Sequence, residues 1–165
     1  MTTIRTAGSD DAAAIVAIYN HYVRSTAITF EEEDVAVADM AGRIDEVIGA
    51  GLPYVAACRD GRVIGYAYAS KWKGRCAYRF SVEVSVYLAA ESVGAGAGSA
   101  LYRELFDRLA RQRIHVAIAG IALPNDASIA LHEKFGMRKV AHFQQVGFKF
   151  GRWIDVAYWQ RILGD

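Results

Sequence analysis

The hydrophobic and polar positions along this chain change period several times, and each change marks an element. After a short strand over residues 3–6, apolar residues Ala14, Ile15, Ile18, Tyr19 and Tyr22 recur at three- and four-residue spacing behind Ser9-Asp10-Asp11. Those polar residues suit the start of a helix. A second helical stripe, Val37, Met40, Ile44, Val47 and Ile48, falls within residues 35–48 and ends at Gly51 and Pro53. Residues 54–58 and 63–70 read as strands joined through Arg59-Asp60-Gly61-Arg62, whose Asp-Gly pair favours a tight hairpin turn.

Beyond a polar loop over residues 72–76, a long strand is predicted over residues 78–88. Val82, Val84, Val86 and Leu88 alternate there with Ser81, Glu83, Ser85 and Tyr87. One face is therefore core, and the other sets a carboxylate, a hydroxyl and a phenol in a row. A helix follows over residues 97–112, then a strand over 115–122 and a short helix over 125–135. Strands over 137–148 and 153–163, either side of Phe150-Gly151, close the chain. This order predicts an α+β (α/β) fold with one central, mostly antiparallel sheet and a helical crossover near its middle.

Length and composition narrow the picture without adding chemistry. The 165 residues, 53% hydrophobic and 22% charged, are enough for one domain, 1–165, with a sizeable core. Nineteen basic and eighteen acidic residues leave a net charge of +1, so electrostatics offer no case for nucleic acid or an anionic membrane. No apolar run approaches a membrane span, and the N-terminal residues lack a signal-peptide core. Cys58 and Cys76 are expected as reduced thiols packed in the core of a cytoplasmic protein. His21, His115, His132 and His142 lack the spacing of a zinc site, and no metal is expected.

The chemistry concentrates where the long strand meets Val93-Gly94-Ala95-Gly96-Ala97-Gly98-Ser99-Ala100-Leu101. Alternating glycines let backbone N–H groups converge on an anion, and the helix N-terminus adds partial positive charge. A P-loop would need a lysine after the last glycine, where Ser99 stands. A dinucleotide fingerprint would need G-x-G-x-x-G in a first βαβ unit, where this chain has G-x-G-x-G behind antiparallel strands. The pyrophosphate loop of an acyl-coenzyme A enzyme fits better.

Over essentially its whole length the chain resembles the GNAT superfamily of N-acetyltransferases. The resemblance lies in Val86-Tyr87-Leu88, the loop 93–98, and Asn125-Asp126-Ala127-Ser128 followed by Leu131-His132-Glu133-Lys134-Phe135-Gly136-Met137. Ile18-Tyr19-Asn20-His21-Tyr22, Ala67-Tyr68-Ala69 with Trp72-Lys73-Gly74-Arg75, Glu83 through Tyr87, Leu123-Pro124-Asn125-Asp126 and Val146 through Asp155 look more narrowly like its phosphinothricin and methionine sulfoximine N-acetyltransferase branch. The resemblance implies a twisted sheet of about seven strands flanked by about four helices. It also implies acetyl-CoA as co-substrate, a homodimer, and direct transfer to the amine of a small amino acid analogue.

By the same resemblance Glu83 is the general base and His132 the proton donor to the thiolate. The cofactor would lie along Val86, Tyr87, Leu88, Gly94, Ala95, Gly96, Ala97, Gly98, Ser99, Asn125 and Ser128. A backbone N–H near Val86, where the strand bends, can face the oxyanion. The loop departs from the superfamily at Val93 and Gly94, where Gln or Arg and a basic residue are usual, so backbone amides from Gly94 to Ser99 must carry the pyrophosphate.

Phe30 and Tyr87 are candidate walls for the acceptor, with Lys73, Arg75 and Arg79 as cations for its acidic group. Each has a plainer reading. Glu83 also suits a solvated strand carboxylate, His132 a helix surface, Asn125 an ordinary N-cap, and Trp153, Tyr158 and Trp159 either sheet packing or a dimer interface. Two other functions stay open: acetylation of another amine, such as a protein N-terminus or polyamine, and a non-catalytic acyl-CoA sensor.

Overall fold

Period-two alternation resolves into seven strands: β1 (Thr2–Thr6), β2 (Tyr54–Arg59), β3 (Arg62–Lys71), β4 (Ser81–Leu88), β5 (Val116–Ala122), β6 (Arg138–Lys149) and β7 (Arg152–Ile162). The helical stripes become α1 (Ala12–Ser25), α2 (Val37–Gly49), α3 (Ala97–Arg111) and α4 (Asp126–Lys134). They are seen in a computed structural model, which describes residues 1–164. The strands form one sheet in the order β1-β2-β3-β4-β5-β7-β6. Every neighbouring pair is antiparallel except β4 and β5, which run parallel because α3 carries the chain back between them.

Two hairpins turn as their residues dictate. Asp60 and Gly61 have φ of 50° and 76°, and Phe150 and Gly151 have φ of 53° and 71°. Paired positive φ values in a two-residue loop give the twist that antiparallel strands need.

The sheet buries both faces. On one, Leu101, Tyr102, Leu105 and Leu109 of α3 pack on Val55, Ala57, Ala67, Val82, Val84, Ala117 and Trp159. On the other, Ile15, Tyr19 and Val23 of α1 and Met40 and Ile44 of α2 cover Tyr54, Ala56 and Tyr66. Glu83, Ser85 and Tyr87 belong to this second face, opposite the valines of β4. Cross-strand pairing sets them beside Ser70, Tyr68 and Tyr66 of β3.

Local structure corrects three sequence expectations. β4 begins at Ser81 and not at residue 78, because Cys76–Tyr78 form a 3₁₀ turn in which Tyr78 N–H donates to Arg75 O and Arg79 N–H to Cys76 O. α2 begins at Val37 and not at residue 35, because Asn20 takes both backbone groups of Val35. Its Nδ2 donates to Val35 O at 3.0 Å and its Oδ1 accepts from Val35 N–H at 2.9 Å. Cys76 is exposed on its turn and not in the core as expected, whereas the half-buried Cys58 packs against the core under α1 and α2; both are free thiols.

The feature that positions a site is the brevity of the parallel pairing. β4 and β5 pair only at Ser81–Val116, Val82–Ala117 and Glu83–Ile118. β4 keeps its one-to-one register with β3 through Leu88. The expected bend near Val86 is therefore no bulge. It is the parting of β4 from β5.

Candidate active site

Past Glu83 the parted strands leave a slot. Phe80 O accepts from Val116 N–H on the β5 side, and strand alternation from Phe80 points the amides of Val84 and Val86 toward the same side. The Glu83–Ile118 pair takes the Val84 amide, so past it the Val86 N–H is the one that faces the slot. Its inner part, a hollow of about 50 Å³, is lined by Val84, Val86 and Tyr87 of β4, Gly120 of β5, Asn125, Ser128 and His132 at α4, and Tyr102 of α3.

His132 is buried, not on the helix surface. Its Nδ1 lies 2.6 Å from Ser128 O, and its Nε2 lies 2.7 Å from the Tyr102 hydroxyl. A carbonyl can only accept, so Nδ1 carries the proton and Nε2 accepts from Tyr102. Burial lowers the imidazole pKa, and the Ser128 carbonyl partly opposes that shift. Asn125 caps α4, its Oδ1 accepting from Ser128 N–H at 3.1 Å.

At one end of the slot Gly94 and Gly96 take φ of 83° and 82° and turn the chain into α3. Gly96 is the N-cap and supplies no side chain, so the first-turn amides have no cap. Gly98 is needed for another reason. A Cβ there would approach Leu131 Cδ2 to 3.3 Å and Leu88 Cδ1 to 3.5 Å. The sequence reading missed a cation at this end. Lys134 of α4 donates from Nζ to Ser99 Oγ at 3.0 Å, in the first turn of α3. Uncapped amides, a helix N-terminus and a lysine suit a pyrophosphate.

On the second face of the sheet the slot widens into a cavity of about 520 Å³, lined by Glu83, Ser85 and Tyr87, by Ile28, Thr29 and Phe30 after α1, and by Phe143, Val146 and Tyr158 of β6 and β7. Burial raises the Glu83 pKa above its ordinary value, and the Lys73 charge partly offsets the rise. Lys73 lies over the Trp72 ring, whose edge meets Tyr158. None of the three expected cations, Lys73, Arg75 and Arg79, lines this cavity. The Arg79 guanidinium lies over Phe80 and donates to Cys76 O at 3.1 Å. A separate cavity of about 290 Å³ behind α2 contains none of the expected site residues. No group of three or more metal-ligating side chains occurs among the described residues.

A carboxylate and a thioester-sized slot thus share one strand, with an anion cradle at the strand's end. The acetyltransferase (GNAT) domain profile matches residues 4–158. The chain belongs to the GNAT acetyltransferase family. It is 43% identical over 162 residues to a phosphinothricin N-acetyltransferase of Alcaligenes faecalis, covering 98% of this chain and 82% of that protein. It is 38% identical to an L-methionine sulfoximine/L-methionine sulfone acetyltransferase of Salmonella typhimurium, covering 99% and 95%. A phosphinothricin acetyltransferase from Sinorhizobium meliloti, solved in complex with acetyl-CoA, superposes with a TM-score of 0.96 at 43% identity, covering 99% and 89%. This GNAT enzyme is an acetyl-CoA-dependent N-acetyltransferase, and the fold expected from sequence is the fold observed.

The electrostatics of Glu83 give a direct test. Its carboxyl group should titrate above the ordinary glutamate range, and Lys73→Gln should move the midpoint higher still, because the cation that favours the ionised form is gone. Carbon NMR of the labelled side chain reads the midpoint. An unchanged midpoint would place Lys73 out of range of Glu83.

Proposed function

We propose that the chain moves the acetyl group of acetyl-CoA directly to the amine of a small amino acid analogue of the phosphinothricin, methionine sulfoximine or methionine sulfone type. The observation that carries this reading is Glu83: a half-buried carboxylate, the last residue of β4 paired to β5, at the border between cavity and slot. An ammonium acceptor in the cavity must lose a proton before its nitrogen attacks. Glu83 takes that proton, and its raised pKa makes it a better base than an exposed glutamate. The Lys73 charge helps keep it ionised beforehand.

The pyrophosphate lies on the amides from Gly94 to Ser99 beside Lys134, and the pantetheine arm runs past Leu88, Asn125 and Ser128. The amide of Val86 faces the carbonyl oxygen as it gains charge. Attack forms the C–N bond and breaks the C–S bond, leaving a thiolate. His132, working with Tyr102, is the donor that returns a proton to sulfur. Its lowered pKa makes the protonated ring a readier donor at the expense of its population. No cysteine lines the cavity or the slot, which favours direct transfer over an acyl-enzyme. Phe30 and Tyr87 wall the acceptor. All three cations are exposed on the segment before β4, and Lys73, whose charge reaches Glu83, is the one taken for the acceptor's acidic group.

The reading also takes a homodimer in the cytoplasm. β6 is an edge strand, and Val146, Phe148, Phe150 and Trp153 are all more than half exposed around its hairpin with β7. An apolar edge of this kind is a liability unless it is covered. A second copy meeting it through the same surface satisfies both chains at once. Both cysteines are free, as a reducing compartment keeps them. No helix among the described residues is long and apolar enough to cross a membrane.

A thiol-release assay with acetyl-CoA should show turnover of methionine sulfone or phosphinothricin, and Glu83→Gln should lower the rate by about 10²–10⁴. Near-normal turnover in that variant would remove Glu83 from its role, and turnover of polyamines alone would replace the acceptor class. Lys134→Gln should raise the acetyl-CoA dissociation constant about two- to fivefold and weaken its salt dependence in calorimetry. An unchanged constant would take Lys134 off the pyrophosphate. Sedimentation should find a dimer that Trp153→Glu dissociates. A monomeric native protein refutes the interface.

A further inference from the structure

Phe30 stands on a segment without regular structure, yet that segment is held from three sides. From α1, the Tyr19 hydroxyl bonds Thr29 Oγ1 at 2.6 Å and also reaches Glu31. From α2, Arg43 grips both oxygens of Glu31, at 2.9 and 2.6 Å. From the opposite side of the cavity comes Lys149, the last residue of β6. Its side chain is only 1% exposed, and Nζ donates to Val23 O at 2.8 Å and Thr29 O at 2.9 Å.

No carboxylate pairs with Lys149 at salt-bridge distance among the described residues. Glu31 and Glu32 act on it only from farther away. Burying an unpaired ammonium is expensive. The carbonyls of the last turn of α1 and of Thr29 are what repay it.

Two residues before Lys149, the same strand offers bare backbone. A Cβ on Gly147 would lie 2.4 Å from Phe30 Cζ and 2.5 Å from Cε2, so the ring rests directly on this glycine. Gly147 does not have positive φ, so the ring, and not the backbone conformation, is what excludes a side chain. Gly147 is buried behind Phe30, and the ring lines the cavity in its place.

We infer that Lys149 and Gly147 of β6 form a lock that fixes Phe30 and so sets how long an acceptor side chain the cavity admits. Both are positioning residues: they act through Phe30 and touch neither acceptor nor thioester. The inference rests on reading this cavity as the acceptor site. A methyl group at residue 147 drives the ring off β6 and into the cavity, where long acceptors lose most room. Loss of the ammonium removes the hydrogen bonds from β6 to the segment and leaves the ring's contact with Gly147 and the ties through Tyr19, Glu31 and Arg43.

The experiment compares alanine with methionine sulfone as acceptors. Gly147→Ala should cut kcat/KM for methionine sulfone about tenfold more than for alanine, within the range one methylene commands in a shaped pocket. The KM for acetyl-CoA should not move. Phe30→Leu added to Gly147→Ala should restore most of the loss, which a merely destabilised protein would not show.

Lys149→Met should speed cleavage by a glutamate-specific protease at residues 31–33, a readout independent of turnover. A Gly147→Ala enzyme that matches wild type, that loses both acceptors equally, or that Phe30→Leu fails to rescue overturns the lock. Unaltered cleavage of Lys149→Met removes the ammonium from it. A wild-type enzyme that acetylates neither amino acid overturns the acceptor reading itself, while the protease result still reports on the lock.

Discussion

Three residue pairs of parallel pairing, and then none, govern this molecule. A strand that leaves its neighbour inside a protein exposes main-chain N–H groups where water is scarce, and such groups must find partners. β4 solves half the problem by staying with β3 through Leu88. The other edge, at Val86, is left to whatever enters the slot. Glu83 belongs to the last pair before the parting, so the sheet holds its backbone on both sides while its side chain faces the cavity. The first free amide on that edge is Val86, three residues later. Rigidity and reactivity therefore meet within one short run of β4.

α3 makes the parting possible. Its N-terminus lies at the end of the slot beside Leu88, and its apolar stripe is among the most deeply buried surface in the protein. Gly98 lets that first turn approach Leu88 and Leu131 without a side chain between them. The same turn thus presents uncapped amides on one side and packs closely on the other. Val93 and Gly94 supply no basic side chain, and the cation arrives instead from α4 as Lys134.

Period-two patterning made the row Glu83, Ser85, Tyr87 readable from sequence, because alternation alone decides which face of a strand a residue occupies. The glycine loop and both hairpin turns were readable for a similar reason: positive φ restricts the residue types. What stayed hidden depends on contacts between distant segments. The capture of Val35 by Asn20 displaced a helix start that periodicity alone placed two residues early. A histidine beside Glu133 on a helix with little amphipathic character gives no sign of burial, which is decided by Tyr102 thirty positions away. Lys134 at Ser99 and Lys149 beneath Thr29 are lysines in ordinary-looking stretches, and only the folded chain distinguishes them from solvated charges.

The ion pairs of this protein do not carry equal weight. Arg24 and Asp34 meet on the surface, where screening and side-chain entropy leave such a pair little to contribute. The pair Arg43–Glu31 is also largely exposed, and counted as stability it would rank no higher. Yet Glu31 is shared with the Tyr19 hydroxyl, Tyr19 with Thr29, and Thr29 with the buried ammonium of Lys149. Each link fixes an atom that the next one needs. The chain of bonds matters for where it leaves Phe30, across the cavity from Glu83, far more than for the free energy of any single contact in it.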